Sequence, residues 1–171
     1  MLFSMHRKKY VIYFYWKVLK KEGKIMTIGL TNDHRGVKTK QFLTNYLTEL
    51  GYTIKDYGTN SVESCDFPDY AKKLGEGYLK KECDLGIAIC GTGIGMSIAL
   101  NKMKGIYCAK VSTNSEAALS KAHNNANIMA ISEEIDKELL KEIVITFIET
   151  PFSNIDRYIR RNQKIEKIEN A

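Results

Sequence analysis

The chain has 171 residues, of which 44% are hydrophobic and 27% charged, and its formal net charge is +6 at pH 7. This length and balance predict one globular domain with its own core and exclude a disordered or fibrous protein. Four cysteines without a CxxC pair and only three histidines argue against a disulfide framework and against a zinc site. We therefore expect reduced cysteines and a cytoplasmic protein.

The positive charge is confined to the first 25 residues. This stretch carries seven lysine or arginine residues and one glutamate, whereas basic and acidic residues balance from Met26 onward. The rest of the chain therefore lacks the excess charge that is typical of a nucleic-acid binder. The apolar run in this stretch is too short to span a bilayer, although a basic amphipathic surface helix stays open. Our hypothesis is that translation starts at Met26, because Lys21-Glu22-Gly23 can be encoded by a ribosome-binding sequence.

From Met26 onward, short apolar runs alternate with segments of helical periodicity, and glycine or proline marks several boundaries. The predicted strands are 26–30, 52–57, 85–89, 106–111 and 127–131. The predicted helices are 37–50, 70–80, 96–103, 115–122, 137–148 and 153–168. This alternation predicts a three-layer α/β/α sandwich around a doubly wound, five-stranded parallel sheet. We assign residues 26–171 to this single domain.

Several polar residues are predicted to lie where the strands of this sheet end, which is where ligands bind in such folds. Asp33 and His34 follow the first strand, and the loop 90–95 follows the third. We expect His123 and Asn124, which follow the fourth predicted helix, on the same edge. The alternative for Asp33 is a turn or helix cap, and the alternative for His123 is a helix C-terminal cap.

The segment AICGTGIGM, residues 88–96, places Gly91, Gly93 and Gly95 directly after an apolar run. Small residues let the backbone approach a ligand closely, and consecutive N–H groups at a helix start bind a phosphate or a reaction oxyanion. The spacing does not meet the dinucleotide pattern GxGxxG, and the P-loop lysine is absent. A tight strand-to-helix turn is the alternative.

Two further features are open to two interpretations each. Cys90 at the strand end is either a buried small hydrophobe or a thiol activated by the adjacent helix start, able to act as a base or nucleophile. Arg157 and Arg161 stand four residues apart on the last predicted helix, so their guanidinium groups point the same way. They either bind a phosphate together or belong to a solvated basic face.

Six blocks of the sequence carry a specific combination of motifs: DHRG (33–36), GYTIKDYGT (51–59), DFPDYA (66–71), ICGTGIGMSIALNK (89–102), AHNNANIMAI (122–131) and RYIRRNQKI (157–165). Together they resemble the sugar-phosphate isomerases of the ribose-5-phosphate isomerase type B and galactose-6-phosphate isomerase group. The resemblance runs from Thr27 to about Ile168. It implies a Rossmann-like α/β/α sandwich, a dimer or tetramer with active sites shared between subunits, and a C-terminal helix that extends to a partner. It implies no metal and no organic cofactor.

The resemblance also implies a role for each matching residue. Cys90 would remove the proton beside the substrate carbonyl, and backbone amides of residues 91–95 would bind the enediolate oxygen. Thr92 would move protons between the oxygens, and Asp33 and His123 would open the sugar ring. The other implied substrate contacts are Gly91, Gly93, Ile94, Gly95 and Asn124, together with a phosphate group held by His34, Arg157 and Arg161, some of them from the partner subunit.

The sequence departs from the family pattern at three places. Phe67 stands where the family often has Tyr, Tyr107 where it often has Arg, and ISEE at 131–134 replaces a glycine-containing turn. The leading prediction is isomerisation of ribose 5-phosphate to ribulose 5-phosphate. The alternatives are a galactose-6-phosphate or allose-6-phosphate isomerase or its subunit, a non-catalytic sugar-phosphate-binding module, and a nucleic-acid or membrane binder acting through residues 1–25. The leading prediction includes neither a nucleic acid nor a membrane as partner.

Overall fold

A computed structural model describes residues 25–171, where five strands alternate with six helices. The strands are β1 (Thr27–Asn32), β2 (Thr53–Asp56), β3 (Leu85–Cys90), β4 (Cys108–Lys110) and β5 (Ile128–Ser132). The helices are α1 (Val37–Glu49), α2 (Phe67–Leu79), α3 (Ile94–Leu100), α4 (Asn114–Asn124), α5 (Lys137–Glu149) and α6 (Asp156–Glu169). Residues 1–24, which hold nearly all of the stretch that our hypothesis places before the true start, lie outside the described part.

The strands form one parallel sheet in the order β2-β1-β3-β5-β4. The prediction of a doubly wound, five-stranded parallel sheet is confirmed. Strand β3 is central, and all six of its residues are buried, as expected for a strand covered on both faces. The loop after β3 therefore leaves the middle of the sheet, with the ends of β1 and β5 on either side.

Two hydrophobic clusters cover the two faces of the sheet. One cluster contains side chains from α1, α4 and α5, and the other contains side chains from α2 and α3. Because side chains alternate along a strand, Ile87 and Ile89 belong to the first cluster, whereas Ala88 and Cys90 belong to the second. Burying a side chain such as Ile87 contributes about 1.5–3 kcal/mol. The three-layer prediction is confirmed, and it fixes Cys90 on the side of α2 and α3.

Helix boundaries differ from the sequence prediction where local contacts decide them. Helix α2 begins at Phe67, three residues before the predicted start, with Pro68 in its first turn, where the missing N–H costs nothing. Helix α6 begins at Asp156 instead of 153, because Ser153 N–H bonds the carbonyl of Ala122 and Asn154 has a positive φ of 53°. No helix within residues 25–171 has the length and apolar character needed to cross a membrane.

The bounds predicted for the two elements around β4 also differ from those observed. Helix α3 spans 94–100 rather than 96–103, and Asn101 closes it by donating to the carbonyls of Ser97 and Cys108. Strand β4 spans only 108–110 rather than 106–111. The residue before it, Tyr107, pairs its N–H with the side-chain oxygen of Asn127, which ends the regular ladder.

Candidate active site

Cys90 is the last residue of β3 and is 5% exposed. Its sulfur accepts a hydrogen bond from the N–H of Gly93 at 3.1 Å, and its carbonyl accepts one from the N–H of Glu133 at 2.9 Å. These contacts fix the side chain toward the turn that follows the strand. The thiol is therefore buried against α2 and α3 but aimed at the backbone of the glycine loop.

The glycine loop makes a tight turn between β3 and α3. Gly93 has a φ of +79°, and a Cβ there would lie 2.9 Å from the carbonyl carbon of Ile131. A side chain is therefore excluded both by conformation and by space. The Thr92 hydroxyl is exposed and accepts from the N–H of Ile94 at 3.2 Å, which leaves its own proton free to donate. Gly95 packs against the ring of Phe67, which would lie only 2.8 Å from a Cβ added at that glycine.

Asp33 lies at the same edge as Cys90. Its N–H donates to the carbonyl of Ile89 at 3.2 Å, so the residue extends the β1–β3 ladder by one step. Its Oδ1 accepts from the N–H groups of Arg35 and Gly36, at 2.9 and 3.3 Å. The turn interpretation is thus correct for this oxygen, since both donors precede α1 and the N-cap of that helix is Gly36. Oδ2 has no hydrogen-bond partner among residues 25–171, so one oxygen stays available to a ligand.

His34 is held by the segment that precedes α2. Its Nδ1 accepts from the N–H of Cys65 at 3.3 Å, and the Cys65 sulfur lies 3.8 Å from the same nitrogen. An Nδ1 that accepts from a backbone N–H places the proton of the neutral ring on Nε2. His34 therefore presents an N–H donor on its other nitrogen.

The other cysteines differ from Cys90 in their surroundings. Burial raises the pKa of Cys83, and burial raises the pKa of Cys108 from 9.0 to about 12. Both thiols therefore stay protonated near neutral pH, which makes them inert as bases. Cys65 is partly exposed but lies in a loop outside the glycine turn.

His123 and Asn124 do not share the edge of Cys90 within one chain, so that prediction is wrong. Helix α4 runs antiparallel to the strands, and its last turn, which contains both residues, leads to the amino end of β5. The N–H of Asn127 donates to the carbonyl of Tyr107, the residue just before β4. This pairing fixes the end of α4 at the amino edge of the sheet.

The strand register gives the separation of the two edges. Ile128 at the start of β5 pairs with Gly86, whereas Ser132 pairs with Cys90 four residues further along. At about 3.3 Å per residue, this is about 13 Å along the strands. The last turn of α4 lies on the far side of Ile128, so a single chain does not bring His123 to Cys90.

A second polar cluster forms at the amino edge, where α6 packs on the end of α4. The rings of His123 and Tyr158 stack with centroids 4.0 Å apart, and Arg157 donates to the Tyr158 hydroxyl at 2.6 Å. Asn162 donates to the carbonyl of His123 at 2.8 Å. Arg157 and Arg161 are both exposed on this helix. Arg157 is thus linked to His123 through Tyr158, and Arg161 lies one turn further along the same helix.

The predicted site residues thus form two half-sites. The carboxyl-edge half-site consists of Asp33, His34 and residues 90–95, which include Cys90, Thr92 and Ile94. The amino-edge half-site consists of His123, Asn124, Arg157 and Arg161. Within one chain, the two half-sites lie at opposite edges of the sheet.

Sequence reasoning missed three residues at these half-sites. Tyr158 lies between two predicted arginines and stacks on His123, and no pattern in the sequence distinguishes it from a helix-face residue. Arg35 and Glu133 form an ion pair at 2.7 Å beside the glycine loop. They are 98 residues apart, and only the strand order β1-β3-β5 could have indicated that they meet.

Residues 25–171 contain no group of three or more His, Cys, Asp or Glu side chains arranged to hold a metal ion. A cavity of about 340 Å³ lies between the end of β2 and α2, lined by Asp56, Tyr57, Lys73 and Glu76 among others. It contains no predicted site residue, and its mixed charges favour no particular ligand.

The doubly wound sheet, with the cysteine–glycine turn at the end of its central strand, defines a Rossmann-like α/β protein. A profile of the ribose/galactose isomerase family matches residues 28–168. The chain therefore belongs to the ribose/galactose isomerase family, and by that membership it is an isomerase.

Named relatives agree with this family. Ribose-5-phosphate isomerase B of Escherichia coli is 38% identical over 138 residues, which cover 80% of this chain and 92% of that protein. The solved ribose 5-phosphate isomerase of Thermotoga maritima is 43% identical with a TM-score of 0.80, covering 83% of this chain and 98% of that one. The enzyme of Mycoplasma genitalium, solved with bound ribulose-5-phosphate, is 33% identical with a TM-score of 0.78, covering 84% and 96%.

Proposed function

We propose that this chain interconverts ribose 5-phosphate and ribulose 5-phosphate through an enediolate, with Cys90 as the base. The observation that carries the proposal is the sulfur of Cys90 at the end of the central strand, 3.1 Å from the N–H of Gly93. A proton acceptor and a turn of backbone donors are thus adjacent. The named relatives, several of them ribose-5-phosphate isomerases, support the same substrate.

The proposed chemistry moves one carbon-bound proton. Cys90, as thiolate, takes the proton from C2 of the open-chain aldose, and the electron pair left behind forms the enediolate. The amides of residues 91–95 stabilise the negative oxygen, those of Gly93 and Ile94 in exchange for their bonds to the Cys90 sulfur and the Thr92 hydroxyl. Removing one such donor typically costs about 10²–10³ in rate. The thiol returns the proton to C1, and Thr92 transfers the hydroxyl proton between the two oxygens.

Asp33 and His34 have proposed roles in binding and ring opening. Asp33 keeps Oδ2 free while its Oδ1 accepts from two N–H groups of the turn before α1, so one carboxylate oxygen can accept a proton from a sugar hydroxyl. His34 presents Nε2–H, a donor suited to a phosphate oxygen. A phosphate held away from the reacting carbons orients them for proton transfer.

The two half-sites combine if a second copy of the chain supplies the amino-edge half-site. His123 and Asn124 would then reach the glycine loop of the partner, with Arg157 and Arg161 beside them to bind the phosphate. Helix α3, which starts at the glycine loop, exposes Ile94 and Ile98 one turn apart, at 54% and 58%. Exposed apolar residues beside a site are typical of a subunit interface. A homodimer with shared active sites is therefore part of the proposal.

A coupled assay of the purified chain tests the proposal, with ribose 5-phosphate, allose 6-phosphate and galactose 6-phosphate supplied separately. We expect the highest kcat/KM with ribose 5-phosphate. A higher kcat/KM with either hexose phosphate would contradict ribose 5-phosphate as the preferred substrate, while the same mechanism would apply to that hexose phosphate. Binding of these compounds without turnover would favour the non-catalytic module and would contradict the proposal.

A further inference from the structure

The ISEE segment at 131–134 contacts the glycine loop directly. The N–H of Glu133 donates to the carbonyl of Cys90, and the hydroxyl of Ser132 donates to the carbonyl of Gly91 at 2.7 Å. The N–H of Glu134 in turn donates to the Ser132 hydroxyl at 3.1 Å. The segment after β5 is therefore bonded to the first two residues of the turn after β3.

Arg35 reaches the same turn from the other side, after β1. Its Nε and Nη2 donate to one oxygen of Glu133 at 3.0 and 2.7 Å, and Nη2 also contacts Glu134 at 3.2 Å. A Cβ added to Gly91 would lie 3.5 Å from Arg35 Cζ, so the guanidinium borders the space beside Gly91 that a side chain would occupy. The Arg35 backbone is fixed by its N–H bond to Asp33.

Arg35 and Glu133 thus connect the ends of β1 and β5 across the end of β3. We propose that this pair, which we call the loop strap, holds Gly91 and the following amides in position and thereby sets turnover. The effect on turnover rests on the function proposed above. Arg35 is a positioning residue, since it acts through the loop and not on the substrate.

A functional role explains the pair better than a role in stability. The Arg35 and Glu133 side chains are 50% and 25% exposed, and ion pairs this open to solvent add little to the stability of a fold. Catalytic donors are far more sensitive, because a displacement of about 1 Å can cost about 10²-fold in rate. The strap lies on the loop whose amides are proposed to bind the enediolate oxygen.

The test compares Arg35→Ala, Glu133→Ala, the double variant and Arg35→Lys with the parent chain. We expect kcat for ribose 5-phosphate to fall about 10-fold in Arg35→Ala and several-fold in Glu133→Ala, with KM changed less than about 2-fold. The double variant should be no slower than Arg35→Ala, because both changes break one contact. Arg35→Lys should recover part of the lost kcat.

Lys55→Ala is the matched control, because Lys55 and Glu82 form an ion pair of the same 2.7 Å length and similar exposure away from the glycine loop. Its kcat should equal that of the parent. A kcat in Glu133→Ala equal to that of the parent would overturn the loop strap, because any loss in Arg35→Ala would then not depend on the pair. The loop strap would also be overturned if the fold-losses of kcat in the two single variants multiply in the double variant.

Amide hydrogen exchange separates this inference from the proposed function. Peptides covering residues 90–95 should exchange faster in Arg35→Ala than in the parent and in Lys55→Ala. If the parent chain lacks isomerase activity but this difference is present, the proposed function fails and the loop strap stands. Unchanged exchange at 90–95 overturns the strap whether or not the chain is active.

Discussion

At the scale of single residues, the four thiols show how position decides chemistry. Cys83 precedes β3 and Cys108 begins β4; both are buried in the cluster on the side of α2 and α3, and burial raises the pKa of each. Cys65 bonds its N–H to His34 from a loop. Only Cys90 combines the end of a central strand with a backbone donor at its sulfur. From its place before the glycine loop, the sequence marked Cys90 as a candidate for an activated thiol.

Replacing Cys90 tests its role as the base. We expect Cys90→Ala to keep the fold and to lower kcat by about 10²–10⁴-fold, the usual contribution of a positioned base. The measurement is kcat for ribose 5-phosphate together with Tm from circular dichroism. Cys108→Ala is the control, since it removes another buried thiol without touching the turn, and its kcat should stay near that of the parent. Equal kcat in both variants would remove Cys90 from the mechanism.

At the scale of elements, the turn between β3 and α3 depends on one glycine more than on the others. Gly93 alone among the three glycines of this loop has a positive φ, and the backbone of Ile131 occupies the space of its missing Cβ. Gly91 has no such constraint, since a Cβ there would meet only the Arg35 side chain, at 3.5 Å. The sequence shows three similar glycines, and the packing of β5 distinguishes them.

This difference predicts unequal effects of alanine on stability. Gly93→Ala should lower the free energy of unfolding by about 2 kcal/mol, because a left-handed non-glycine residue and a clash with strand backbone are both costly. Gly91→Ala should change it by less than about 0.5 kcal/mol. Urea unfolding followed by fluorescence or circular dichroism measures both. Equal losses in the two variants would show that the turn does not depend on the φ of Gly93.

At the scale of the whole molecule, the fold divides the predicted catalytic groups between two edges. Cys90 and Asp33 lie at the carboxyl edge of the sheet, whereas His123 and Arg157 lie at the amino edge. A helix that returns antiparallel to its strands always ends at the opposite edge of the sheet. Residues that the motif blocks assign to one site need not therefore be neighbours within one chain. Two copies arranged edge to edge would complete two equivalent sites, as closed two-fold symmetry allows.

Mixing two inactive variants tests whether the site is shared. Cys90→Ala and His123→Ala should each lose most activity alone. After subunit exchange, half of the dimers carry one of each, and one of their two sites contains neither change. About a quarter of the parent activity should therefore return on mixing. No recovery, with exchange shown by mass-tagged subunits, would mean that each chain holds its own complete site.

The sequence by itself determined the class of fold and the family, and it supplied the candidate residues of the site. Short apolar runs bury their side chains as strands, and segments with helical periodicity bury one face as helices. The alternation of the two patterns therefore specifies a parallel α/β/α sandwich. The motif blocks predicted which residues carry chemistry, among them Cys90, Asp33 and His123. These are local properties of the chain.

The tertiary structure alone decided which of these residues are neighbours. The direction of α4 separated His123 from Cys90, and the strand order brought Arg35 to Glu133 across 98 residues. Helix starts such as that of α6 depended on hydrogen bonds to distant carbonyls. Such relations follow from how elements pack and in which direction each one runs, and neither is written in the local pattern of the sequence.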